Sequence, residues 1–210
     1  MAARIVTVYI DYKSPYAYLA KDPAWELERE FDVRLEWLPY TLDIPEFLGT
    51  VEGRNAHQWR RVRYSYMDAR RLANRRGLTV RGPRKLFDSS LAAIGMLHAE
   101  RHGVLRQYND LVFERFWKRE LDIENREAIR AVLSDTGAPV AGFFDFLDGD
   151  GRIALDRICR RAEEIGVFGV PTFVVDGEIF WGGDRLWMVR EKLGAPPPAA
   201  SPSVPTRVPR

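Results

Sequence analysis

Ser14 is the hydroxyl in this chain whose position could serve chemistry. It lies in Asp11-Tyr12-Lys13-Ser14-Pro15-Tyr16-Ala17-Tyr18, after an apolar run and before a helical pattern. There it can cap the helix, a role worth about 1 kcal/mol that needs no further function. The same position is the carboxyl end of a first strand, where helix N-termini supply amide donors and positive potential and where α/β sheets bind ligands. A hydroxyl there can donate to an anion. Nucleophilic attack by Ser14 has little support: no Gly-x-Ser-x-Gly turn surrounds it and no histidine base is evident, although Lys13 is adjacent. Tyr12, Tyr16 and Tyr18 crowd the turn and could wall an aromatic substrate.

Pro171 is the second such feature. In Gly-Val-Pro-Thr-Phe-Val-Val it stands just before a strand, where its missing N–H would cost a ladder bond unless the geometry is special. A cis Val170–Pro171 bond is one such geometry, and composition does not decide it. Other chemistries find no pattern. His98 and His102 sit four apart with Glu100 between them, in no zinc order, and are expected on the solvent side of a helix. No phosphate-loop spacing of glycines occurs. One cysteine, Cys159, excludes an intrachain disulfide and a Cys-x-x-Cys pair; a buried inert thiol is the expectation.

The elements that must hold these residues read as follows. Arg4–Ile10 is rich in β-branched residues and predicts a central strand. A helix follows from Ser14, with Pro15 at its first position and a kink or restart expected at Pro23. Val33–Pro39 predicts a second strand, making a βαβ unit with a parallel pair. From His57 to about Phe146 the pattern is helical, in four segments, three of them closed by glycines, Gly77, Gly103 and Gly137. Four helices in a row cannot all be crossovers of one sheet, so they predict a helical layer of their own. A further helix then leads to two strands joined at Asp176-Gly177, and a last helix begins near Asp184.

The fold class is thus α/β, with residues 1–40 and 150–194 forming one discontinuous domain and 41–149 a linker and helical insertion. The Pro-rich end, 195–210, lacks apolar periodicity and is expected to be disordered. With 32 basic and 30 acidic residues, the balance offers no nucleic-acid footprint. The apolar start is too short for a membrane span or a signal peptide, so a cytoplasmic protein is expected. The arginine-rich stretch His57–Tyr64 and Arg70–Gly77 could sit beside an anionic small molecule.

Taken together, DYKSPYAYLA, the helical insertion and GVFGVPTFVVDGEIFWGGDRL resemble the 2-hydroxychromene-2-carboxylate isomerase family. That family lies in the DsbA-like branch of the thioredoxin fold, beside the kappa-class glutathione transferases. RYSYMDARRLANRRGL resembles its arginine-tyrosine segment, and the likeness covers residues 4–193. Ser14-Pro15-Tyr16-Ala17 stands where thioredoxins carry their redox cysteines.

The resemblance implies glutathione as cofactor. Ser14 would be the catalytic residue, donating to its sulfur; Val170 and Pro171 would hold the cysteinyl part, and Asp184 and Arg185 the γ-glutamyl end, with Asn55 in a polar role. Tyr12, Tyr16 and Tyr64 would line the pocket for a small aromatic carboxylate. The implied reaction interconverts 2-hydroxychromene-2-carboxylate and trans-o-hydroxybenzylidenepyruvate, in a homodimer without metal. A kappa-like transferase and a redox-inactive binding protein are the alternatives. The chain departs from the family after its second strand and at Leu72-Ala73-Asn74, in the region expected to shape the substrate pocket.

Overall fold

The structure is a computed structural model and describes residues 3–194. The Pro-rich end expected to be disordered, 195–210, lies outside the described residues. Strand β1 (Arg4–Ile10) leads into α1 (Pro15–Trp25), the short α2 (Leu27–Glu30) and β2 (Val33–Pro39). β1 and β2 run parallel and in unbroken register from Arg4↔Val33 to Ile10↔Pro39. Helices then follow without a strand: α3 (Ile44–Leu48), α4 (Ala56–Arg75), α5 (Ser90–Arg101), α6 (Leu105–Trp117), α7 (Arg126–Asp135), α8 (Phe143–Asp148) and α9 (Asp150–Glu164). The chain returns to the sheet in β3 (Thr172–Val175) and β4 (Glu178–Trp181), and ends in a 3₁₀ turn, Gly183–Arg185, and α10 (Leu186–Leu193).

The sheet order is β2-β1-β3-β4, with β3 antiparallel to β1 and β4 antiparallel to β3. Asp176 and Gly177, at φ 50 and 81, supply the two positive dihedrals of a tight hairpin whose twist matches its strands. The short helices α3 and α8 were not anticipated. Each has too few residues to show a helical period.

Pro23 sits inside α1, which runs on to Trp25 before the chain restarts as α2. A proline cannot donate to the carbonyl four residues back, here that of Leu19. Arg76, just beyond α4, fills the vacancy: its Nη1 donates to the Leu19 oxygen. The break is compensated from another helix.

The apolar core is continuous from sheet to helices. Val6, Val8 and Phe173 of the sheet and Ile94, Val112, Phe113 and Ile129 of α5, α6 and α7 belong to one buried cluster. Tyr18 of α1 stacks on Phe113 with centroids 5.5 Å apart. Trp117, Phe143 and Phe146 are buried in this core.

His98 corrects another expectation. Rather than facing solvent, it is buried, and its Nε2 donates to the Pro139 carbonyl at 2.7 Å. α5 is covered by α7, α8 and α9 at once, so its polar positions do not mark a wet face. His102 is exposed as read. Among the described residues, no helix is long and apolar enough to cross a membrane, and no three His, Cys, Asp or Glu side chains gather as metal ligands.

Candidate active site

The turn after β1 is organised by a carboxylate that the sequence reading passed over. The Asp11 side chain is fully buried; Oδ1 accepts from the Lys13 amide at 2.9 Å and Oδ2 from the Leu42 amide at 2.8 Å. The Asp11 carbonyl accepts from the Ser14 amide at 2.9 Å. One residue thus ties the β1–α1 turn to the segment leaving β2. Lys13 is committed to the same clamp: its ammonium donates to the Leu42 carbonyl at 2.9 Å and lies 3.5 Å from Asp11 Oδ2. Its partners are there rather than at the Ser14 hydroxyl.

The clamp leaves Ser14 at the N-cap of α1, where Oγ accepts from the Ala17 amide at 3.2 Å. The hydroxyl also donates to the Val170 carbonyl at 3.3 Å, and the residue is only 6% exposed. Ser14 therefore caps the helix, and its hydroxyl also touches the loop before Pro171. The Val170–Pro171 bond is cis. Thr172 Oγ1 donates to the Gly169 carbonyl at 2.6 Å, and the Gly182 amide donates to the Pro171 carbonyl at 2.8 Å.

The Gly182 bond places the 3₁₀ turn against α1. A Cβ on Gly183 would lie 2.9 Å from the Ala20 Cβ, and one on Gly182 (φ 105) would lie 2.4 Å from Asp184 Oδ1. Only residues without side chains let the turn approach this closely. Asp184 and Arg185 consequently stand beside α1, exposed and bonded to each other. Such a neighbouring carboxylate and guanidinium complement the ammonium and carboxylate of an amino acid.

The tyrosines divide. Tyr12 is buried in the core, its hydroxyl donating to Asn109 Oδ1 at 2.5 Å and its ring 4.8 Å from that of Phe113. It cannot wall a pocket, because the end of β1 is covered by α6. Tyr16 is half-buried and bridges to α4, donating to Asp68 Oδ2 at 2.9 Å. Desolvation, reinforced by Asp68, raises its pKa well above the usual phenol range, so it stays a proton donor. Tyr64, on α4 close enough to act on Tyr16's ionisation, is 57% exposed.

Asn55 has a structural role: it caps α4 in a capping box, accepting from the Gln58 amide at 2.9 Å while Gln58 Oε1 accepts from the Asn55 amide at 2.9 Å. Among the described residues, no hydrogen bond joins it to the Ser14 turn.

An aromatic pair was missed. Phe168 and Trp181 are 54% and 45% exposed, with ring centroids 4.8 Å apart. They flank Gly169, where a Cβ would lie 2.7 Å from Trp181 Nε1, so the Trp181 ring lies against the loop that leads to the cis-proline. The signal was available in Val-Phe-Gly-Val-Pro and Phe-Trp-Gly-Gly, each with an aromatic beside glycine.

Similarity to known proteins follows this geometry. The chain is 27% identical over 199 residues to a 2-hydroxychromene-2-carboxylate isomerase of Pseudomonas sp. (strain C18), covering 92% of each chain. Among solved structures it is similar to a 2-hydroxychromene-2-carboxylate isomerase with a TM-score of 0.74 and 26% identity, over 90% of this chain and 94% of the other. A probable DsbA oxidoreductase from Streptomyces coelicolor has the same fold, with a TM-score of 0.74 at 18% identity over 97% of this chain and 100% of the other. The DSBA-like thioredoxin domain family matches residues 5–194, and the chain belongs to that family.

Proposed function

We propose that the protein is an isomerase acting on a conjugated aromatic carboxylate of the hydroxychromene-carboxylate type, with glutathione as its thiol cofactor. The observation carrying this reading is the Ser14 hydroxyl, held at the N-terminus of α1 within 3.3 Å of the Val170 carbonyl before a cis-proline. Similarity to isomerases over most of the chain's length supports the reaction class.

The residues present fit the tripeptide. Ser14 can turn its O–H from the Val170 carbonyl, a long bond at 3.3 Å, toward a sulfur. The Val170 backbone is then free to pair with an extended cysteinyl unit, and Asp184 with Arg185 can take the zwitterionic γ-glutamyl end. Bound glutathione would supply a thiolate able to add reversibly to a conjugated acid, so that a double bond loses its character and can rotate.

The chain's own groups act around that chemistry. Ser14 and the positive end of α1 favour the ionised sulfur. Tyr16 stays protonated at neutral pH, and its one O–H, held by Asp68, would have to leave that carboxylate to donate to a substrate oxygen. Phe168, Trp181 and Tyr64 offer exposed rings for an aromatic acid to lie on.

Titration calorimetry with glutathione, alongside the ultraviolet absorbance change of the chromene–pyruvate interconversion, tests this. Saturable binding and turnover that both require glutathione are expected. Absence of binding at millimolar glutathione would sink the reading and leave a redox-inactive binding protein.

A further inference from the structure

A second cluster of cationic side chains lies apart from the Ser14 turn. Arg70 of α4, Arg81 of the segment after α4 and Arg119, just past α6, line one cleft of about 360 Å³ with Asn74 and Thr79. None of the three arginines has a carboxylate partner among the described residues. This sets them apart from Arg115 and Arg126 on the neighbouring helices, which pair with Asp135 at 2.7 Å and Asp148 at 2.7 Å. The flanking Lys118 is already paired with Glu114, and Glu120 forms no ion pair with Arg119.

Each guanidinium is held by backbone instead. Arg70 Nε donates to the Val80 carbonyl at 3.3 Å and Arg81 Nη1 to the Lys118 carbonyl at 3.3 Å. Arg119 grips the Gly82 carbonyl through Nε at 2.8 Å and Nη2 at 2.5 Å. A guanidinium has five N–H donors, so each keeps several for a ligand. Arg119 adds an independent sign. Its φ is 63, a left-handed conformation costly for a residue with a Cβ, and it sends the guanidinium onto the loop that lines the cleft.

We propose that this cleft binds a small organic polyanion, one carrying at least two phosphate or carboxylate groups. Three cations line one cleft without counter-charges, and planar guanidinium forks match phosphate and carboxylate oxygens bidentately. The volume exceeds what a lone inorganic anion fills, and Asn74 and Thr79 provide neutral hydrogen bonds for the rest of the ligand. None of the residues assigned to glutathione lines the cleft; Asn74, in the segment expected to shape the substrate pocket, does.

Calorimetry on the full chain at fixed ionic strength, with inorganic pyrophosphate and with citrate as probes, decides the matter. Saturable one-to-one binding of either is expected, the preferred probe telling phosphate from carboxylate recognition. Arg119→Gly is the informative variant, because glycine suits the left-handed backbone while removing the guanidinium. It should fold as well as the parent and bind at least about tenfold more weakly, the loss expected for a charged hydrogen bond. Arg115→Gln, altering a paired arginine outside the cleft, should bind unchanged. The proposal is overturned if neither probe saturates, if Arg119→Gly binds like the parent, or if it changes the oligomeric mass in light scattering without changing anion binding. The last result would assign the arginines to a protein interface.

Discussion

Replacing Ser14 by aspartate separates its two hydrogen bonds. The hydroxyl accepts from the Ala17 amide at 3.2 Å and donates to the Val170 carbonyl at 3.3 Å. A carboxylate keeps the first role and is an excellent cap at a helix N-terminus. It cannot play the second at neutral pH, and it sets a negative oxygen against a carbonyl at a position only 6% exposed. Ser14→Ala should lose roughly 1–2 kcal/mol, combining a cap of about 1 with one long neutral bond. Ser14→Asp should lose more, roughly 2–4 kcal/mol, despite its better cap, because a buried charge then faces an unpaired acceptor. The sign with pH follows: the folded environment favours the neutral acid, so the folded pKa of the new side chain rises above its unfolded value. Stability relative to wild type is recovered as pH falls, since the protonated acid can donate to Val170. Urea midpoints at pH 7 and at about pH 4.5 would show the aspartate deficit shrinking while the alanine deficit stays level. Should Ser14→Asp match wild type at pH 7, the donor bond to Val170 and the role built on it are wrong.

Three further outcomes are expected. Arg76→Ala should cost about 1.5–3 kcal/mol in the native background but little beside Pro23→Ala, where a restored amide can serve Leu19; a double-mutant cycle with no coupling would refute the compensation. Burial holds the His98 imidazole below its ordinary 6.5 against the upward pull of the Pro139 carbonyl. Its stabilising effect is thus complete above about pH 6.5 and lost as pH falls through the lower folded value; an NMR titration midpoint at or above 6.5 would contradict this. Gly183→Ala places a Cβ 2.9 Å from that of Ala20 and should cost about 1–3 kcal/mol while weakening the proposed glutathione binding, measured by melting and calorimetry; unchanged affinity would detach the Asp184–Arg185 turn from the proposed site.

Local signals carried much of this structure. The β-branched run 4–10 and the alternation at 33–39 mark strands that the sheet keeps residue for residue, and Ser14-Pro15 and Asp176-Gly177 mark a helix start and a hairpin. What escaped depends on partners distant in sequence. Tyr12 reads as a site residue because it adjoins Ser14, yet Asn109, 97 positions away, takes its hydroxyl into the core. Asn55 is polar and near the expected pocket, but Gln58, three residues on, accounts for it as a cap. Asp11 looks like an ordinary strand end until Leu42 is brought against it. Periodicity reports which face of an element is apolar, not how many neighbours will cover the other faces, and His98 was misplaced for that reason.

The burial of Tyr12 and Tyr18 against α6 bears on how this architecture could have been assembled. An insertion joined to its host only through two linkers could be excised, leaving a smaller protein that still folds. Here the insertion supplies Phe113 and Asn109 as the floor beneath the strand end and the helix that position Ser14. Removing 41–149 would strip that floor and leave two tyrosines and the β1 terminus facing water. The helices and the sheet therefore share one core, and changes deep in α6 reach the Ser14 turn through Tyr12 and Tyr18.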